Sequence, residues 1–299
     1  MLSSSLKRVL TPSGILFDEV KHTYTKPNGE MYVGTTTVSD AWDKSYFLGP
    51  WTAKEMALAI LSVPFDEIQK MTPPEFEKFV LNAKGAAKRK SEKAKDDGHD
   101  AHAWIEAVIS SKLDPSVELL PTPESKEAQN AINAFAGWAK GRDIKWLASE
   151  EVVCSDEHRF AGTLDAIAVI DGLTYLVDWK TSSQISASYL LQCAGYDIAL
   201  REKGLQVMGY LIIRIPKDGK EAETLTITDQ TQMEFFRQTF LKQREAHRFY
   251  VYAESKLKDM STGKMKVDAP ADNEAGGKQA DTKVEQKSKQ TDGRSKKAV

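Results

Sequence analysis

The sharpest pattern of apolar and polar positions lies in GTLDAIAVIDGLTYLVDWK, from Gly162 to Lys180. Two five-residue β-prone runs, Ala166–Ile170 and Leu173–Val177, flank the dipeptide Asp171-Gly172. Asp-Gly between such runs predicts a two-residue hairpin, because a type I′ turn needs positive φ at both central residues. Ser149 to Ser155 predicts a strand before the hairpin. Ser188 to Lys203 predicts a helix carrying Leu191, Ala194, Tyr196 and Ile198, closed by Gly204. Val207 to Ile215 reads as an apolar strand stopped by Pro216, and Thr224 to Thr228 as a short one. Asp229 is the expected cap of a final helix reaching about Ser255. The central order is therefore helix, three strands, helix, strand, then helix.

Upstream, His22-Thr23-Tyr24-Thr25 and Met31-Tyr32-Val33 flank Pro27-Asn28-Gly29 and predict another hairpin. Trp42 to Ile60 reads as helical with an interruption at Pro50. Pro73-Pro74 opens a helix with Phe76, Phe79 and Val80. Ala83 to Leu113 is a long helical pattern, with Gly98 a candidate break after Asp96-Asp97. Pro121 and Pro123 mark a loop, and Glu124 to Gly141 is helical, with Ala131, Ile132, Phe135 and Trp138 at apolar spacing. Asp259 to Val299 has no aromatic residue, leucine or isoleucine, so it cannot offset the entropy of ordering and is expected to be a disordered tail. The expected organisation is a hairpin and helical region over 1–82, a core over 83–258 and a tail over 259–299.

Composition narrows the function classes. The 299 residues are 41% hydrophobic with net charge -2, so nucleic-acid contact requires a local patch. Two cysteines, Cys154 and Cys193, argue against a disulfide framework and cannot supply the four thiolates of an iron–sulfur cluster. No apolar run approaches the ~20 residues of a membrane span. The acid-free start MLSSSLKRVL allows a mitochondrial presequence as the alternative; an ordinary cytoplasmic chain is expected. The Walker A and Gly-x-Ser-x-Gly patterns are absent, so NTP-driven motors and α/β-hydrolases lose their main support.

The hairpin carries the chemistry. With a two-residue loop Ile170 faces Leu173, and the same register sets Asp165 opposite Asp178, with Cβ atoms ~5 Å apart. Alternation puts Lys180 on the face of Asp178. Two carboxylates that close need a cation or a shared proton, and hard oxygen donors favour Mg²⁺ or Mn²⁺. The competing reading is a solvated salt-bridge cluster at a strand end. Gly162 either lets a substrate phosphate approach the backbone or forms a plain turn or bulge. Glu150 is a candidate third carboxylate, preferred over Glu151 because Val152 and Cys154 share its face; exposed charge at a strand edge is the alternative. His99, His102 and Glu106 share one face of a continuous helix, as ligand candidates or as a surface network. Gln192 and Tyr196, four apart, are placed to bond a phosphate or simply to pair in the core. Lys84, Lys88, Arg89, Lys90, Lys93 and Lys95 form the one dense basic run, a DNA track or a solvated helix face. Trp42 and Trp51 are stacking candidates for bases, with core packing the plainer assignment.

Taken in order, these motifs resemble the PD-(D/E)xK nuclease superfamily, specifically its RecB-like exonuclease branch, which includes many phage nucleases and the mitochondrial genome maintenance exonuclease. The resemblance covers roughly His22 to Tyr250. Gly98-His99-Asp100-Ala101-His102 with Ile105-Glu106 looks like the helical histidine motif, and Glu150 like the first-strand glutamate. Gly162-Thr163-Leu164-Asp165 and Asp178-Trp179-Lys180-Thr181 look like the two aspartate motifs, and Gln192 with Tyr196 like the helix motif. The resemblance implies a restriction-endonuclease-like α/β core, a mixed central sheet flanked by helices with a helical N-terminal extension. It implies a DNA exonuclease using Mg²⁺ or Mn²⁺, acting in recombination, repair or DNA processing, with DNA as substrate and a recombination annealing protein as a candidate partner. It implies that Asp165, Asp178, His102 and the Trp179 carbonyl bind metal and that Lys180 positions or deprotonates the attacking water. Glu150 would then bind a second metal or its waters, and Gln192 and Tyr196 would order the substrate phosphate. Leu164 stands where the superfamily name has proline.

Overall fold

The computed structural model describes residues 8–11, 13–18, 20–41 and 45–261. Four short strands, β1 (Arg8–Leu10), β2 (Leu16–Asp18), β3 (Thr23–Thr25) and β4 (Met31–Gly34), open the chain. Six helices follow: α1 (Thr35–Ser39), α2 (Ser45–Leu61), α3 (Phe65–Gln69), α4 (Pro73–Ala83), α5 (Ala86–Leu113) and α6 (Lys126–Ala139). Then come β5 (Ile144–Ser155), β6 (Phe160–Ile170), β7 (Leu173–Lys180), α7 (Ala187–Glu202), β8 (Gly209–Arg214), β9 (Glu223–Ile227) and α8 (Gln230–Ser261). Among the described residues the fold is mixed α/β, with one nine-stranded sheet of parallel and antiparallel pairs and helices on its flanks. The chain divides into two compact units, the first ending at Tyr250. The described residues of the second are helical through Ser261, so Asp259–Ser261 are helix where the sequence pattern predicts a tail. Residues 262–299, residues 1–7 and Trp42 lie outside the described residues.

The central hairpin forms as its turn chemistry dictates. Asp171 and Gly172 have φ of 51° and 79°, and the ladder runs from Ile170↔Leu173 to Ala166↔Val177. The expected N-terminal hairpin is β3–β4, turned at Gly29 with φ 89°. Two features depart from expectation. Gly98 does not break α5, which runs unbroken to Leu113. Pro50 lies inside α2 near its start, where it removes one backbone hydrogen bond without ending the helix.

The neighbours of β6 position the site. β5 pairs with β6 along its length, from Ser155↔Phe160 to Ile144↔Ile170. A strand has two edges, so β4 and β7 share the other one. β4 takes Phe160 and Ala161 in parallel, and β7 takes Ala166 to Ile170 antiparallel. Residues 162–165 of β6 therefore lie in a fork between two strands. The faces also exchange there. Phe160 and Leu164 pack with Tyr196 and Phe240, from α7 and α8, whereas Ala166, Ala168 and Ile170 pack with Ile105 and Phe135, from α5 and α6. Strict alternation would put Leu164 and Ala166 on one face. Strand β6 turns over at Asp165.

Candidate active site

Both ladders skip Asp165. On one side the pairs pass from Ser149↔Ala166 to Glu151↔Leu164, so Glu150 is level with Asp165. Glu150 has a φ of 49°, the left-handed region, which breaks regular pairing at that position. On the other side the β6–β7 register, continued one step past Ala166↔Val177, brings Asp165 level with Asp178. Glu150, Asp165 and Asp178 thus form one row across three neighbouring strands. The Asp165 carboxylate accepts a hydrogen bond from the Trp179 backbone N–H at 2.9 Å. The N–H and C=O of an extended residue leave the strand on one side, so the Trp179 carbonyl faces the same edge.

Asp165 and Asp178 are buried, Glu150 is half-buried, and the row is rich in acidic groups. Asp178 is 1% exposed, and the Lys180 ammonium lies 2.8 Å from its carboxylate. Both Asp178 oxygens lie 2.8 Å from the Lys180 Nζ, Oδ1 as its hydrogen-bond acceptor and Oδ2 as its ion-pair contact. Lys180 also lies over the Tyr189 ring, 5.2 Å from its centroid. Burial lifts the Asp178 carboxyl to about 6, opposed by Lys180 and reinforced by Asp165. Burial raises Asp165 as well, against the pull of Lys180 and the Trp179 N–H. Glu150 is pushed up to about 9 by burial, with Asp165 and Glu106 adding to it. Burial alone would lower Lys180, but Asp178 and Asp165 outweigh it and hold the ammonium charged. Three acids facing one lysine favour either protons or a cation. The donors fit a hard divalent ion: buried carboxylate oxygens and a backbone carbonyl.

Helix α5 brings His102 and Glu106 to the same place. A Cβ at Gly98 would lie 2.7 Å from Thr181 Oγ1, so glycine here lets α5 approach the end of β7. His102, one turn on, stands 6.1 Å ring to ring from Trp179. Burial lowers it to about 4, Lys180 adding to the shift and Asp178 opposing it, so the imidazole is neutral and free to act as a ligand. His99, by contrast, is exposed.

Gln192 and Tyr196 meet on α7, both buried, with Gln192 Nε2 donating to Tyr196 Oη at 2.7 Å. The sequence-level role of Gly162 needs correction. A Cβ there would sit 2.6 Å from Tyr196 Cε1 and 2.6 Å from Thr35 Oγ1, so the glycine makes room for protein side chains. The face shared by Val152 and Cys154 does run into a buried cluster, and Glu150 lies near enough to Tyr24 of that cluster to add to the rise that burial gives its pKa. Val152 and Cys154 pack with Tyr24 and Tyr32, and Glu150 reaches the row through its left-handed backbone.

The site contacts of two residues escaped sequence reasoning. Thr36 Oγ1 accepts a second hydrogen bond from Gln192 Nε2 at 3.2 Å. Tyr24 Oη is 3.2 Å from Thr163 Oγ1 and close enough to Glu150 to feel its charge. Each pairing joins residues more than a hundred positions apart, and no local pattern announces it. The basic run is largely engaged within the protein: Lys90 with Glu55 at 2.7 Å, Lys93 with Glu127 at 2.9 Å, Lys88 with Glu92 at 3.7 Å, and Arg89 with the Asn82 carbonyl at 3.0 Å. Trp51 is half-buried in α2. Among the described residues, three side-chain donors mutually within 4.8 Å occur at Glu157, His158 and Glu202, outside the row. Asp165, Asp178 and His102 are not gathered that closely.

No family model matches the chain, and no curated protein matches it. Among solved structures it is similar to the crystal structure of an alkaline exonuclease (LHK-Exo) from Laribacter hongkongensis, at 12% identity and TM-score 0.27, over 52% of this chain and 91% of that one. It is similar to LHK-Exo in complex with dAMP at 13% identity and TM-score 0.26, with the same coverage. No described helix is long and apolar enough to cross a membrane.

Proposed function

We propose that this chain is a metal-dependent deoxyribonuclease, an exonuclease of the RecB-like branch of the PD-(D/E)xK superfamily, using Mg²⁺ or Mn²⁺. The observation that carries the reading is the row of Glu150, Asp165 and Asp178, with both aspartates buried and Lys180 held against Asp178. A salt-bridge cluster accounts poorly for that row, because three acids meet one lysine and two of the acids are buried. Asp165, Asp178, His102 and the Trp179 carbonyl are the proposed ligands; Glu150 serves a second ion or its waters. A divalent ion, when bound, supplies a Lewis acid for the phosphoryl oxygen and lowers the pKa of coordinated water.

The chain's own groups do the rest. Lys180, kept charged by Asp178, donates to the attacking water and to charge developing on the phosphate, and is not the proton acceptor. Neutral His102 offers a lone pair without adding charge. Gln192 and Tyr196 order the scissile phosphate. The fork limits water around the reacting atoms, because Leu164, Tyr196 and Trp179 are all buried beside it.

The test is digestion of end-labelled linear DNA with Mg²⁺ or Mn²⁺, repeated with EDTA and with Asp178→Ala. Both should lower the rate by about a hundredfold or more. Covalently closed circles should survive; their cutting would make the protein an endonuclease. Tight DNA binding without cleavage under either ion would make it a DNA-end-binding module. Undiminished digestion by Asp178→Ala would remove this site from the chemistry.

A further inference from the structure

We propose that Thr36, brought to the fork by α1, contacts a phosphate of the substrate strand, acting with Tyr196 as a pair of hydroxyl donors set by Gln192. The proposal rests on the nuclease reading and adds to it a residue and a ligand atom, the non-bridging phosphate oxygen.

Hydrogen-bond accounting carries the argument. A carboxamide nitrogen has two protons. Gln192 Nε2 spends one on Tyr196 Oη at 2.7 Å and the other on Thr36 Oγ1 at 3.2 Å. Each hydroxyl has therefore accepted a hydrogen bond and keeps its own proton to give. Both hydroxyls lie within one hydrogen bond of the same nitrogen, close enough to serve one tetrahedral anion.

Position supports the assignment. Thr35 is buried and donates to the Ala161 carbonyl at 3.0 Å, which fastens α1 to β6 at the edge of the fork. Thr36 is the next residue and is exposed. Tyr196 lies over Gly162, three residues before Asp165. The pair thus runs from solvent to the acidic row. Hydroxyls also suit this place electrostatically. A lysine or arginine beside Asp165 and Asp178 would pair with them, as Lys180 does, whereas a neutral donor binds phosphate oxygen and leaves the carboxylates available.

The test compares wild type, Thr36→Val and Thr36→Ser on linear DNA with Mg²⁺. Losing a hydrogen bond to a charged phosphate raises KM about tenfold for Thr36→Val, with kcat within about twofold, and Thr36→Ser stays within about threefold of wild type. A methylphosphonate at the contacted phosphate should weaken wild type about tenfold and cost Thr36→Val little more. A wild-type KM for Thr36→Val, or a methylphosphonate penalty equal in both proteins, would overturn the contact and leave the nuclease reading standing. A fall in kcat at constant KM would show that Thr36 only props Gln192, and would overturn the proposal too. A wild type that cuts no DNA overturns both.

Discussion

Replacing Gly162 with alanine probes the packing of the fork directly. The added Cβ would lie 2.6 Å from Thr35 Oγ1, 2.6 Å from Tyr196 Cε1 and 3.0 Å from Thr35 Cβ. Ordinary carbon contacts are ~3.5–4.0 Å, so the overlap is about 1 Å on two sides. Neither neighbour is the loose end of a long side chain. Thr35 is 1% exposed and bonded to the Ala161 carbonyl; Tyr196 is 2% exposed and bonded to Gln192. Alanine has a small advantage over glycine in a strand, about 0.5–1 kcal/mol. Overpacking costs about 1–3 kcal/mol, and a buried hydrogen bond broken in relief adds about 1–3 more. The expected net loss is about 1–5 kcal/mol, read as a lower urea midpoint by tryptophan fluorescence. Gly137→Ala is the control. It lies in α6 with nothing within 4 Å of the added Cβ, so it should gain up to about 1 kcal/mol. The two substitutions are chemically identical and should have opposite signs. A Gly162→Ala protein as stable as wild type would refute the close packing of Tyr196 over β6.

Arg237→Ala should cost about 3 kcal/mol in thermal or urea unfolding, because fully buried Asp197 takes Arg237 at 2.5 Å, Arg201 at 3.0 Å and Tyr210 at 2.8 Å and would lose a charged partner; a change within experimental error would show that the remaining two suffice. In metal-free protein, stability should fall between about pH 6.5 and pH 9, because folded Glu150 keeps a proton up to about 9 that the unfolded chain has already lost. His102 contributes with the opposite sign, since its folded value is lowered to about 4, but that gain is complete by its ordinary value of 6.5; the Asp178 loss is complete near 6. The remaining slope is about 1 kcal/mol per pH unit. Glu150→Gln should flatten it, and an unchanged slope in that variant would assign the titration elsewhere.

The legible parts of the site were local. Asp171-Gly172 admits few turn types, so the register of Ala166 to Ile170 against Leu173 to Val177 followed from two residues. Asp165, Asp178 and Lys180 came with that register, and Gln192–Tyr196 came from helical spacing. Glu150 was named by alternation, yet it arrives by a left-handed residue that alternation does not describe. Gly98 looked like a helix break because the sequence shows what glycine permits and hides what it must avoid, here Thr181. The pairing of β4 with β6 joins segments with six helices and a strand between them, so no window of sequence carried it. Thr36 and the contact of Tyr24 with Thr163 were hidden for the same reason, and β1 and β2 are too short to leave a period.

The fork explains why these carboxylates can be neighbours at all. In a regular sheet, Glu150, Asp165 and Asp178 would stand directly across from one another along continuous ladders, and their repulsion would oppose the pairing that holds them. Here β7 stops pairing with β6 at Ala166, β4 takes over at Ala161, and Asp165 falls between, with its carboxylate held by the Trp179 N–H in place of a ladder bond. The released edge needs cover, and the N-terminal segment supplies it: Thr35 caps the Ala161 carbonyl, Tyr24 reaches Thr163, and Thr36 takes the free proton of Gln192. The strands that begin the chain therefore complete the same sheet and the wall of the same site. A cluster that would destabilise an ordinary sheet is kept because a second stretch of chain holds the opening in shape.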